Sequence, residues 1–105
     1  LMFRAELPVR RGMLFIFEKS RPRSFHMTNC RVDLDILFLS AEGVIVQMFT
    51  MKAPEPGSPS LRYPCRRPCR YALELPAGTA RRLGLEVGMK IELPSRVQAI
   101  IADPD

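Results

Sequence analysis

No apolar run in the 105-residue chain approaches the ~20 residues that a membrane-spanning helix needs. A Gly-rich phosphate loop is also missing, and no Ser/His/Asp or Cys/His arrangement is anchored by a recognisable motif. P-loop nucleotide chemistry and triad hydrolysis therefore have no support. No repeat at a fixed period is visible. There is no basic tail either: the net charge of +5 divides into +3 over residues 1–52 and +2 over 53–105. The chain starts at Leu1 with neither an initiator Met nor a signal peptide. It reads as a fragment lacking an upstream segment and an opening strand, so localisation stays open.

What is present fits a globular protein. Apolar residues make up 47% and are interleaved with charge. The length fits a single domain over residues 1–105, burying roughly two-thirds of the unfolded chain's surface. Residues 2–7 read as a helix end or irregular lead-in, 13–17 as a buried strand, and 18–24, with Pro22, as a polar connection. From Phe25 the chain runs through a polar knot into Val32, Leu34, Ile36 and Phe38, which share one strand face. Asp33 and Asp35 open the other face before Leu37 and Leu39 take it over. A strand that begins half-polar and ends apolar on both faces is entering a core. Glu42-Gly43 closes a hairpin onto residues 44–50.

Residues 53–68 hold Pro54, Pro56, Pro59, Pro64 and Pro68, half of all the prolines, and read as one long loop. A strand at 71–75 follows, then a short helix at 76–83 stopped by Gly84, then strands at 89–93 and 97–102. The sum is an α+β, mostly β architecture: a small barrel-like rolled sheet of five or six strands with one short helix.

Five blocks carry a resemblance: LMFR at residues 1–4, GMLFIF at 12–17, PRSFHMTN at 22–29, LDILF at 34–38 and LELPAGTARRLGLEVGMKI at 73–91. Together they resemble the bacterial and archaeal family known as domain of unknown function 192. The resemblance implies a small β-rich domain of no established activity. Where the family has Trp and Thr, this chain has His26 and Cys30, and Asp33 replaces the family's usual proline. Asn29 and Asp35 stand at family positions. The stretch 74–93 is also similar to the swapped-hairpin barrels of AbrB-like transcription regulators, which use dimerisation and basic loops on DNA.

Three constellations carry candidate chemistry. His26, Asn29, Asp35 and Glu74 are expected to line one polar, ligand-binding depression near the central strand, because a charged group among apolar neighbours is costly unless paired or hydrated. His26 and Cys30 (H-x3-C) with Cys65 and Cys69 (C-x3-C) make up a Cys3His zinc ligand set. The family has no metal site at these positions, so three free thiols and no metal is the preferred reading. Cys65 and Cys69 could also close a small disulfide loop in an exported protein. Arg62, Arg66, Arg67 and Arg70, with no acid between them, can contact phosphate through their planar donor forks. A solvated loop is the plainer account of them.

The sequence thus reads as a small binding or interaction module without a cofactor. Its partner is a small ligand or a protein, and no membrane is spanned. A DNA-binding regulator is the alternative, and an enzyme using Asp35 trails both. Self-pairing through an exposed sheet edge is a further expectation.

Overall fold

The computed structural model describes residues 4–6, 12–26, 32–58, 61–92 and 98–101. Seven strands and one helix follow in chain order: β1 (Arg4–Glu6), β2 (Met13–His26), β3 (Leu34–Leu39), β4 (Ile45–Met51), β5 (Arg62–Pro76), α1 (Thr79–Arg82), β6 (Lys90–Glu92) and β7 (Gln98–Ile101). The mostly β, α+β class is the one expected. Five strands form the main sheet in the order β4-β3-β5-β2-β7, and β1 pairs in parallel with β6. An antiparallel bridge, Val44 to Lys90, links the two sheets. Among the described residues no ladder joins β4 to β7, so the roll is open.

β3 lies between β4 and β5 and is buried on both faces. Ile36 and Phe38 join Phe17, Met51, Tyr63, Cys65, Cys69 and Ala72 on one side. Leu37 and Leu39 join Leu14, Ile45, Leu73, Leu75, Ala80, Leu85 and Ile91 on the other. This is the double-faced core that the alternation in 32–39 implies. Val32 departs from it: it lies ahead of the strand and is 63% exposed.

The β3–β4 hairpin turns where expected. Ser40 Oγ accepts from the N–H groups of Glu42 and Val44, and Gly43 adopts φ 84°. The helix is shorter than 76–83. Pro76 belongs to β5, and α1 spans one turn behind Gly78. Its end is as expected: Gly84, at φ 69°, donates to the Arg81 carbonyl while Leu85 donates to that of Ala80. That left-handed stop is sealed by packing of Leu85 and Ala80 in the same cluster.

Two expected connections are strand instead. Residues 18–24 continue β2, and β5 begins at Arg62, so the proline-rich loop ends before it rather than at Pro68. Residues 62–65 and 69 pair with β2, whereas β3 meets β5 only from Tyr71 onward. The outer half of β5 thus has a sheet partner on one side, and there a missing proline N–H need not break a ladder. The pairing is irregular, with register shifts between Ile16 and Arg23 of β2. Residues 4–6, read as lead-in, form β1.

Candidate functional site

Asp35 is the buried carboxylate of β3, 3% exposed. Its Oδ1 accepts the Thr50 hydroxyl at 2.9 Å, and its Oδ2 accepts the Ala80 backbone N–H at 2.9 Å. Gly78, the residue ahead of α1, offers no side-chain cap. A carboxylate from a neighbouring strand therefore satisfies an N–H that the first helical turn leaves free. The depression around it, lined by Asp35, Met48, Phe49, Thr50 and Ala80, encloses about 170 Å³. That is below the roughly 300–1,000 Å³ of small-molecule pockets.

Glu74, expected in the same depression, does not join it. Glu74 pairs in register with Ile36 and Met13, while Asp35 pairs with Leu75. Directly opposed residues share a face, so Glu74 and Asp35 lie on opposite faces of the sheet. The two carboxylates cannot line one depression. Glu74 is half-buried, and burial raises its carboxyl above the ordinary range. His26 ends β2, its backbone opposite Arg62. Asn29 and Cys30 lie outside the described residues.

A larger cleft opens where the chain enters β3. About 450 Å³ is lined by Asp33, Lys52, Ala53, Pro54, Glu55, Ser58 and Leu61. Two consecutive N–H groups fix its floor: Lys52 donates to the Tyr63 hydroxyl at 3.0 Å, and Ala53 donates to Asp33 Oδ1 at 2.8 Å. The end of β4 is thereby tied to both β5 and the lead-in to β3. Lys52 Nζ stands 3.6 Å from Asp33 Oδ2, with both side chains well exposed. A pair in that setting is weak and leaves both charges open to a ligand. Leu61, 63% exposed, supplies apolar wall. His26 lies near this rim by register, since its partner Arg62 follows Leu61.

Sequence reasoning did not place this cleft. Its signals were the unusually long proline-rich loop and Asp33, the one acid standing where the resemblance calls for proline.

The arginines divide. Arg62, Arg66 and Arg67 are exposed. Arg70 is half-buried and donates through Nε to the Phe17 carbonyl. Cys65 and Cys69 are buried thiols that share no disulfide, and burial pushes the Cys65 thiol up. Among the described residues no three His, Cys, Asp or Glu side chains gather as a metal-binding group, and the zinc set additionally calls on Cys30, which lies outside them.

The sequence profile of the family described as DUF192, Uncharacterized ACR, matches residues 1–93. The chain belongs to the DUF192 family. Two crystal structures are similar to this DUF192 chain. One is a protein from Sinorhizobium meliloti 1021 described as a candidate transcription regulator, at 36% identity and TM-score 0.64, covering 84% of this chain and 66% of its own. The other is a protein of unknown function from Novosphingobium aromaticivorans DSM 12444, at 32% identity and TM-score 0.63, covering 84% of this chain and 61% of its own. The chain thus spans less than two-thirds of each of these structures. No curated protein matches it. Among the described residues no helix is long and apolar enough to cross a membrane.

Proposed function

We propose that this DUF192 chain is a small single-domain binding module whose ligand enters the cleft at the mouth of β3. The observation that carries this reading is the cleft itself, whose size fits a small molecule and whose floor is fixed by two hydrogen bonds. Its walls select for chemistry. Asp33 and Glu55 favour a cationic end, Lys52 favours an anionic one, and Ala53, Pro54 and Leu61 favour an apolar middle. A short peptide-like molecule carrying both charges meets all three. Asp35 supports the site from behind by holding α1, and neither it nor Glu74 touches the ligand. Amide NMR of the isotope-labelled chain, titrated with short zwitterionic peptides, tests this. Shifts are expected to cluster at Asp33, Lys52, Ala53, Ser58 and Leu61, with Lys52→Ala weakening binding about tenfold, ~1.4 kcal/mol. Shifts that cluster elsewhere, or none with any peptide, would overturn the assignment.

A second reading is DNA binding, favoured by the exposed Arg62, Arg66 and Arg67 on the outer half of β5. They stand where β5 pairs, among the described residues, with β2 alone, and a two-stranded ribbon of this kind can enter a major groove. The relative described as a candidate transcription regulator is consistent with it. Duplex affinity should then fall steeply with salt, with a log–log slope of about −2.7 for three phosphate contacts. The Arg66→Ala, Arg67→Ala double variant should flatten that slope. No binding at low salt removes this reading.

A further inference from the structure

A C-x3-C spacing on a regular strand holds its two Cα atoms about 13 Å apart. That is far outside the roughly 4.4–6.8 Å that a disulfide spans. The β2–β5 register changes this distance. Cys69 lies opposite Arg21 and Cys65 opposite Arg23, so two cysteines four residues apart face two residues only two apart. Two positions on an extended strand separate by ~6.6 Å, and the cysteines that oppose them are drawn to about the same separation. The surplus chain is expelled as a bulge of Arg66, Arg67 and Pro68, all exposed. Both thiols instead point into the apolar cluster beneath, 1% and 0% exposed. The Cys65 thiol is hydrogen-bonded to Cys69 and also lies 3.4 Å from the Arg67 carbonyl.

We propose that Cys65 and Cys69 are a redox pair that closes to a disulfide across the bulge of Arg66, Arg67 and Pro68. The oxidant is a low-molecular-weight disulfide such as oxidised glutathione. One cysteine, deprotonated, attacks the glutathione disulfide and releases one glutathione thiol. The second cysteine then displaces the other glutathione from the mixed disulfide. The net exchange is two cysteine thiols and one small disulfide for one protein disulfide and two small thiols, so electrons and protons balance. Because both thiols are buried and burial raises that of Cys65, closure requires the exposed bulge to open, and its rate rises with pH. Once closed, the bond pins the backbone that carries Arg66 and Arg67.

The test equilibrates the full chain in glutathione redox buffers, folded and in urea, quenches it with acid and maps it with trypsin. Cleavage after Arg66 releases Cys65 and Cys69 on separate peptides from the reduced chain and on joined peptides from the oxidised one. The folded chain is expected to lose two hydrogens of mass and retain no glutathione. Its pair should be favoured by about tenfold over the same pair in urea, ~30 mV in midpoint. The Cys30→Ser variant should behave identically, and Cys69→Ala should stop at a glutathione adduct on Cys65. A persistent glutathione adduct on the unaltered chain, a linkage to Cys30, or a pair no more favoured folded than in urea would each overturn the proposal.

Discussion

Asp35 and Glu74 are two carboxylates one register step apart, and their surroundings give them different consequences. Asp35 holds one donor on each oxygen, from Thr50 and from Ala80. Asparagine in its place keeps one acceptor but turns an amide NH₂ toward a group that also donates. Asp35→Asn is expected to lower stability by about 1–3 kcal/mol, read from the urea midpoint; an unchanged midpoint would return Asp35 to the ligand-binding residues. Glu74 has the opposite balance, because burial favours its protonated form. The folded chain holds this proton more tightly than the unfolded chain does. Its contribution is therefore complete below the unfolded carboxylate pKa and is lost as pH rises through the raised folded value. Glu74→Gln should raise the melting temperature at neutral pH, with the difference shrinking as pH falls through the raised folded value and gone once pH is below about 4.3. A difference independent of pH would show that shape, rather than charge, is at work.

The β3–β4 hairpin depends on one glycine at the scale of elements. Gly43 sits at φ 84°, and a Cβ there would meet the Ile91 carbonyl oxygen at 3.1 Å. Its own carbonyl accepts the Ile91 N–H, so the turn is also where the small sheet docks on the large one. Gly43→Ala should cost about 1–3 kcal/mol from backbone strain alone, seen as a lowered thermal midpoint. This hairpin and the stop at Gly84 were legible in the sequence because alternation and glycine position report local geometry directly. The outer halves of β2 and β5 were not. Pro22, Pro64 and Pro68 signal loop to any local reading, and only the one-sided pairing explains how a strand tolerates them. β1 is three residues long, too short to show a period. The separation of Asp35 from Glu74 was hidden for a related reason. Whether Asp35 and Glu74 share a face is set by the β3–β5 register, and the cleft at the mouth of β3 joins Asp33 to Ala53, twenty positions on.

At the scale of the whole molecule, the main sheet ends at β4 and β7. Among the described residues the outer side of β4 is covered at its start, where Ile45 donates to the Met89 carbonyl and Gly88 donates to that of Ile45. Among the described residues, the outer side of positions 46–51 has no strand beside it. Exposed backbone of this kind can pair with another chain. Two features blunt it: the β3–β4 register shift between Phe38 and Leu39 displaces Val46, and Lys52 places a charge just past the strand's end. Partly buried Val46, Met48 and Phe49 still offer apolar contact to an incoming strand. The balance points to weak self-pairing, with a dissociation constant on the order of 100 µM, ~5.5 kcal/mol. Light scattering across a concentration series is expected to show mass rising between the monomer and dimer values. Gln47→Lys adds charge in the middle of the edge, at a half-buried position opposite Phe38, and it should move the rise several-fold higher in concentration. A constant monomer mass at millimolar concentration would mean that the bulge and Lys52 close this edge by themselves.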